Sequence, residues 1–232
     1  MTEPTEPARQ TPRRLAPPAA PAAVLWDMDG TLVDTEPYWM ATESAIAEAY
    51  GGTWTHEDAM SLVGNDLLVS GRYMKAKLGL PQSPEEVVEM LLDGVVEQVR
   101  HAVPWCPGAR ELLLQLREAE VPCGLVTMSY ERFVAPILEH LPPETFRVIV
   151  TGDQVTTGKP HPEAYLTAAA ALGVDAAHCV AIEDSPTGAQ SAEAAGCRVL
   201  VVPNHVPVPP GPARSFRESL VGTTLAELSL LV

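Results

Sequence analysis

Hydrophobic positions in this 232-residue chain change their spacing along its length. A short apolar run, residues 22–26, predicts a buried strand. Residues 36–103 instead show the three- and four-residue spacing of amphipathic helices, with capping and stop signals and no strand signal. Thr35 is predicted to cap the first of these helices. The helices predicted in this region span residues 38–50, 56–63, 66–78 and 84–101.

From residue 103 onward, short apolar runs alternate with helical segments. The predicted strands span residues 121–127, 146–150, 179–182 and 198–202. The predicted helices span residues 109–119, 131–140, 162–172, 187–195 and 225–231, and the proline-rich stretch 203–212 is predicted to be a loop. Strands that alternate with helices imply right-handed crossovers and a parallel sheet. The sequence therefore predicts an α/β fold in which a helical module is inserted after the first strand.

This order divides the chain into three predicted parts. Residues 1–21 are rich in Pro, Ala, Thr and Glu and are expected to form a disordered tail, because they cannot bury enough apolar surface to fold. The tail lacks the contiguous apolar centre of a signal peptide. Residues 22–34 and 104–232 are predicted to form the core domain, and residues 35–103 a helical cap domain next to the end of the first strand.

Charge and cysteine content narrow the expected binding partners and cellular compartment. Thirty acidic and 15 basic residues give a formal net charge of −15, which disfavours nucleic acid and anionic membrane surfaces as partners. No apolar run approaches the roughly 18–20 residues of a membrane-spanning helix. The four cysteines show no Cys-x-x-Cys spacing and are predicted to be reduced, mostly buried thiols, which points to the cytoplasm.

Two carboxylates follow the first strand directly. Asp27 and Asp29 stand two residues apart, and Gly30 follows them. Active sites of open α/β sheets form at the carboxyl ends of strands, so Asp27 is a candidate nucleophile for an acyl phosphate. Asp29 is a candidate acid and base, if Gly30 lets the chain turn back toward Asp27. An ordinary Asp-Gly turn at a strand end is the alternative interpretation of these residues.

Three further signals lie at or just beyond predicted strand ends. Thr127 ends an apolar run and can donate a hydrogen bond to a phosphate oxygen. Lys159, between a glycine and a proline, can neutralise a phosphoryl group, although a solvated surface position is common for a lysine. Glu183 and Asp184 offer oxygen ligands that suit Mg²⁺, and Asp184 or Ser185 can also cap the next helix.

Taken together, these motifs resemble those of the haloacid dehalogenase-like (HAD) superfamily, and the resemblance covers about residues 23–203. The helical insertion is similar to the C1 cap of the β-phosphoglucomutase and phosphoglycolate phosphatase group. The matching residues are Asp27-Met28-Asp29-Gly30-Thr31, Thr127, Gly158-Lys159-Pro160 and Glu183-Asp184-Ser185.

The resemblance implies a Rossmann-like core and Mg²⁺-dependent phosphoryl transfer. Asp27 would be the nucleophile and a metal ligand. Asp29 would be the general acid and base, with its backbone carbonyl on the metal. Asp184 would bind Mg²⁺ directly, and Glu183 directly or through water.

The same resemblance implies that Thr127, Met128 and Lys159 hold the transferring phosphoryl group. The predicted activity is a Mg²⁺-dependent phosphatase that hydrolyses a small phosphate monoester, for example a sugar phosphate, through a phosphoaspartyl intermediate. The predicted binding partner is thus a small phosphorylated metabolite, and no binding to nucleic acid or membranes is expected. A monomer is the favoured oligomeric state.

Two alternatives remain open at this point. One is a β-phosphoglucomutase-like phosphotransferase, although Trp39 stands where those enzymes carry a cap histidine and cannot transfer a proton. The other is a non-catalytic binding protein of the same fold, although every motif residue is present. Trp39, Asn65, Arg72 and Lys75 are the candidate contacts to the leaving group.

Overall fold

The computed structural model describes residues 20–63 and 67–232 and has a six-stranded sheet at its centre. The strands are β1 (Ala23–Trp26), β2 (Cys123–Val126), β3 (Val148–Val150), β4 (Cys179–Glu183), β5 (Arg198–Val201) and β6 (Arg214–Phe216). Their order is β3-β2-β1-β4-β5-β6, and every neighbouring pair is parallel. The predicted α/β class with a parallel, Rossmann-like sheet is confirmed. Strands β2 and β3 lie on one side of β1, and β4, β5 and β6 lie on the other. Such a reversal of the strand order, called a topological switch point, forms a crevice at the carboxyl ends of the strands.

Helices cover both faces of this sheet, because its central strands are apolar on both sides. Val24 and Trp26 of β1 point into one core, and Ala23 and Leu25 point into the other. Helices α5, α6 and α9 pack on the first face, and α7 and α8 pack on the second. These helices are α5 (Ala109–Glu118), α6 (Glu131–Leu138), α7 (Glu163–Leu172), α8 (Pro186–Ala195) and α9 (Leu225–Leu228).

The described residues between β1 and α5 contain four helices, as the periodicity predicts. These are α1 (Glu36–Ala49), α2 (His56–Leu62), α3 (Leu67–Leu78) and α4 (Pro84–His101), which we call the helical insertion. Residues from all four helices form a separate small core, namely Ile46, Leu62, Met74, Val87 and Leu91.

Both connections of the helical insertion lie beside the end of β1. The Asp34 amide donates to the carbonyl oxygen of Pro104 at 2.8 Å, and Val33 forms an antiparallel bridge with Trp105. The insertion therefore starts and ends next to Asp27 and Asp29. Farther out, Arg132 of α6 contacts carboxylates of α4, and these contacts join the insertion to the helices of the sheet.

The helices of the insertion begin with different kinds of cap. Thr55 and Ser83 begin α2 and α4 with reciprocal capping boxes. Thr35 is the N-cap residue of α1, as predicted, but its side chain makes no cap hydrogen bond. The Thr35 hydroxyl instead donates to Asp29 Oδ1 at 3.4 Å.

The pattern of hydrophobic residues gives no sign of β6. The sequence Arg-Ser-Phe of β6 lacks an apolar run, and its order comes from backbone pairing with β5 at the edge of the sheet. The predicted helix 66–78 begins at Leu67 in the described chain, and residue 66 lies outside the described residues. Most of the predicted tail, residues 1–19, also lies outside them.

Two sequence-based expectations concern membranes and thiols. Within residues 20–63 and 67–232, no helix has both the length and the apolar character that a bilayer crossing requires. All four cysteines are free thiols, as predicted; Cys123, Cys179 and Cys197 are buried and Cys106 is half-buried.

Candidate active site

The sheet brings three predicted residues together at the carboxyl ends of its strands. Asp27 follows β1, Thr127 follows β2, and Glu183 is the last residue of β4. Because β1 lies between β2 and β4, the ends of these strands are neighbours. The Asp27 amide continues the ladder by donating to the carbonyl oxygen of Ile182 at 3.0 Å.

Lys159 reaches these strand ends from the loop before α7. Its side chain is only 6% exposed, so it does not occupy the solvated position that is common for lysine. The Nζ atom donates to Asp27 Oδ1 at 2.6 Å, to Glu183 Oε1 at 2.7 Å and to the carbonyl oxygen of Val126 at 3.0 Å. Burial alone would lower the pKa of Lys159, but attraction to the two carboxylates outweighs it and raises the pKa. The ammonium is therefore charged at neutral pH.

Asp27 is held next to this ammonium with one oxygen unused. Burial, followed by repulsion from Glu183, raises the pKa of Asp27, and Lys159 opposes the shift. Asp27 Oδ2 is buried and makes no hydrogen bond within the described part of the chain. Carboxylate oxygens of Asp27, Glu183 and Asp184 lie within 4.8 Å of one another. A divalent cation fits this set of hard oxygen ligands and would satisfy the buried Oδ2.

Gly30 allows the acidic residues to approach each other. Its φ of +85° lies in the left-handed region that L side chains rarely adopt. A Cβ atom at this position would lie 2.1 Å from Asp184 Oδ2. Both the turn after Asp29 and the position of Asp184 therefore require a glycine.

Asp29 is only two residues from Asp27 in the sequence but has a different environment. Its Oδ2 accepts hydrogen bonds from Ser129 Oγ at 2.7 Å and Thr127 Oγ1 at 3.2 Å, and its Oδ1 faces the Thr35 hydroxyl. Burial raises the pKa of Asp29, and these hydroxyls oppose the shift. Sequence reasoning missed the contacts of Ser129 and Thr35 with Asp29, because a hydroxyl beside a strand end or before a helix is common.

Glu183 is completely buried, and both of its oxygens are engaged. Oε1 accepts from Tyr165 at 2.7 Å in addition to Lys159, and Oε2 accepts from the Ser185 hydroxyl and the Asp184 amide, each at 3.2 Å. Ser185 also caps α8 by accepting from the Gly188 amide, so the cap of this helix is Ser185. Tyr165 was not identified from the sequence, because a tyrosine in an apolar helix usually indicates only core packing.

A cavity of about 650 Å³ opens above these residues and below the helical insertion. Its volume falls in the range of small-molecule sites. Among the described residues, the wall of the cavity on the side of the sheet includes Asp27, Asp29, Thr127, Met128, Lys159 and Asp184. The insertion contributes Glu36, Trp39, Glu43, Leu62, Val63, Leu67, Ser70, Leu91 and Leu92 to the opposite wall.

The remaining candidates differ in their placement. Met128 lines the cavity, and its backbone amide donates no hydrogen bond to any described residue. Trp39 also lines the cavity and packs edge-on against Phe133, with ring centroids 5.6 Å apart. Arg72 and Lys75 are absent from the described lining, and Lys75 Nζ instead donates to the carbonyl oxygen of Leu80. Asn65 lies outside the described residues.

One pair at the cavity was not predicted. His205 Nε2 lies 3.0 Å from Asp34 Oδ1, and both side chains line the cavity. His205 belongs to the proline-rich loop after β5, in which nothing in the sequence indicates proximity to Asp34.

Comparisons with known proteins agree with this geometry. A family model described as haloacid dehalogenase-like hydrolase matches residues 24–202. Hexitol phosphatase B of Escherichia coli strain K12 is 32% identical over 197 residues, which cover 83% of this chain and 86% of that protein. A phosphorylated carbohydrates phosphatase of Thermotoga maritima is 31% identical over 175 residues, which cover 75% and 81% of the two chains.

A solved structure has a similar fold. CbbY from Rhodobacter sphaeroides, crystallised in complex with phosphate, superposes with a TM-score of 0.75 and 25% identity, over 90% of this chain and 99% of that one. The matched family span contains all the strand-end residues described above, from Asp27 to Asp184. On this evidence the chain belongs to the haloacid dehalogenase-like hydrolase family.

Proposed function

We propose that this phosphoric monoester hydrolase releases phosphate from a small phosphorylated sugar or sugar alcohol. The reaction passes through a phosphoaspartyl intermediate on Asp27 and uses Mg²⁺. Hexitol phosphatase B and the phosphorylated carbohydrates phosphatase support the substrate class by their names. A cavity of about 650 Å³ has room for a phosphorylated hexose-sized molecule.

One observation carries the proposal: two carboxyl groups share a cavity but have different partners. Asp27 is paired with the Lys159 ammonium and keeps one oxygen without a partner among the described residues. Asp29 is surrounded by hydroxyl donors instead. Carboxyl groups in contrasting environments commonly divide the roles of nucleophile and acid–base catalyst.

In the first step, an oxygen of Asp27 forms a bond to phosphorus while the bond from phosphorus to the leaving oxygen breaks. Asp29 gives its proton to that oxygen, and the alcohol departs. In the second step, Asp29 takes a proton from a water molecule whose oxygen attacks phosphorus. The bond between phosphorus and Asp27 breaks, which releases inorganic phosphate and restores both side chains.

Charge on the phosphoryl oxygens must be neutralised in both steps. Lys159 provides one positive charge beside Asp27. Thr127 and the Met128 amide are further predicted donors to the phosphoryl oxygens. Bound Mg²⁺, held by Asp27 and Asp184 with Glu183 and the Asp29 carbonyl as further predicted ligands, would supply Lewis-acid charge at the same oxygens.

We also propose that residues 35–103 act as a cap domain over a core domain of residues 22–34 and 104–232. The helical insertion forms the wall of the cavity opposite the carboxylates and can therefore exclude water from the reaction. Trp39 in this wall stands at the position where the similar mutases carry a cap histidine. Its indole N–H is a donor only and cannot relay a proton, which favours hydrolysis over phosphoryl transfer between sugars.

Phosphate release from a panel of phosphate monoesters tests the proposal. Wild type should release phosphate with Mg²⁺ and lose this activity with a chelator. Asp27→Asn should be inactive but folded, and Glu48→Gln, an exposed change on α1, should retain wild-type activity. Activity in Asp27→Asn, or full activity with chelator, would contradict the proposed mechanism.

A further inference from the structure

Glu43 is a buried carboxyl group in the wall of the cavity opposite Asp27. It lies on α1 in helical register with Glu36 and Trp39, and all three line the cavity. Only 4% of Glu43 is exposed. Its Oε2 accepts a hydrogen bond from Trp54 Nε1 at 3.1 Å, whereas no described residue donates to Oε1.

The surroundings of Glu43 make this arrangement costly for folding alone. Leu62, Leu67 and Leu91 line the same wall, and within the described chain no cation pairs with Glu43. Burial is the main cause that raises the pKa of Glu43 to about 7. Because Glu43 lines the cavity and its Oε1 has no partner among the described residues, a hydroxyl of a bound ligand can donate a hydrogen bond to that oxygen.

The charges that line the cavity also restrict the leaving group. Among the described lining residues, the basic side chains are Lys159 and His205, and each already faces a carboxylate. Glu36 and Glu43 add acidic groups on the side that would face the leaving group. A second phosphate or a carboxylate on the substrate would therefore meet acidic groups, with no free cation among the described residues that line the cavity.

We propose that Glu43 is a specificity-determining residue that hydrogen-bonds a hydroxyl of the leaving group, and that it selects uncharged, hydroxylated phosphate monoesters. This inference rests on the proposed phosphatase function and names the part of the substrate that the cap wall recognises. A phosphorylated sugar alcohol satisfies Glu43 Oε1. An aromatic ester leaves that oxygen without a partner, and an ester with a carboxylate brings a like charge toward it.

The test compares kcat/KM for sorbitol 6-phosphate, p-nitrophenyl phosphate and 2-phosphoglycolate. Glu43→Leu should lower kcat/KM for sorbitol 6-phosphate about 10- to 100-fold more than for p-nitrophenyl phosphate, because only the first ester loses a hydrogen bond. Glu43→Gln keeps hydrogen-bonding capacity and should recover most of the loss. At pH 8, where Glu43 is ionised, the same variant should increase kcat/KM for 2-phosphoglycolate, because it removes a like charge.

Glu48→Gln on the exposed side of α1 is the matched control and should leave all three values unchanged. Equal losses for sorbitol 6-phosphate and p-nitrophenyl phosphate in both Glu43 variants would indicate a structural role and overturn the inference, as would unchanged selectivity. Failure of the proposed function itself would look different, because wild type would then hydrolyse no ester or Asp27→Asn would hydrolyse p-nitrophenyl phosphate.

Discussion

Lys159 and Asp27 form a buried ion pair with 2.6 Å between Nζ and Oδ1, although 132 residues separate them in the chain. The same ammonium binds Glu183 at 2.7 Å. One cation thus holds together two carboxylates from neighbouring strands, and Asp184 adds a third carboxylate to the cluster. Without this cation, the buried carboxylates would lack a counter-charge.

Lys159→Met should therefore weaken both folding and catalysis. Removal of the ammonium leaves Asp27 and Glu183 buried without a counter-charge, which costs about 3–5 kcal/mol of unfolding free energy at neutral pH. Urea unfolding measures this loss, and phosphate release should fall to background. Arg132→Met removes exposed ion pairs to α4 and should cost less than about 1 kcal/mol. A Lys159 variant as stable as the Arg132 variant would contradict the prediction.

Tyr165→Phe should disturb the site without changing a residue that lines it. The lost hydroxyl is one of two donors to Glu183 Oε1, so about 1–2 kcal/mol of stability should be lost. Lys159 and Glu183 would be less firmly positioned, and kcat should fall while KM changes little. Steady-state kinetics with urea unfolding checks both effects. The exposed Tyr50→Phe is the control, and equal effects of the two changes would argue against a positioning role for Tyr165.

Gly30→Ala should be more harmful than Gly51→Ala, although both glycines have positive φ. A Cβ at Gly51 meets no atom within 4 Å, so this change introduces backbone strain alone, about 1 kcal/mol. A Cβ at Gly30 also collides with Asp184 Oδ2. Gly30→Ala should therefore lose the thermal stabilisation by Mg²⁺ that wild type and Gly51→Ala retain. Melting curves with Mg²⁺ and with chelator measure this difference, and equal Mg²⁺ responses in both variants would refute it.

The raised pKa of Glu43 predicts a pH-dependent stability difference. The folded state holds the proton up to about pH 7, whereas the unfolded state releases it near pH 4.5. The unfolding free energy of wild type therefore declines as pH rises through this window, because the unfolded state binds fewer protons there. Glu43→Gln cannot ionise and lacks this decline, so its stability relative to wild type should increase by about 1–3 kcal/mol from pH 5 to pH 8.

Urea unfolding at the two pH values measures this change. Besides Glu43 itself, Glu36 on the same helix is the charged group that influences this pKa. Glu48→Gln should follow the wild-type trend at both pH values. A difference between Glu43→Gln and wild type that does not depend on pH would show that Glu43 is ionised throughout.

The sequence by itself determined the alternation of strands and helices, the helical insertion, and the residues at the strand ends. Asp27, Thr127, Glu183 and Asp184 follow apolar runs directly, and parallel strands must bring their carboxyl ends to one edge. These predictions depend on local periodicity, which a single chain displays.

Only the tertiary structure decided which side chains meet there. Tyr165 and Glu43 occupy ordinary helical positions in the sequence, and their contacts arise from packing between distant segments. The Thr35 hydroxyl contacts Asp29 rather than a backbone amide of α1, and β6 depends on pairing with β5 rather than on its own apolar residues. These features depend on contacts made in the folded chain, between residues six positions apart for Thr35 and Asp29 and 18 apart for Tyr165 and Glu183, and patterns of apolar residues do not encode such contacts.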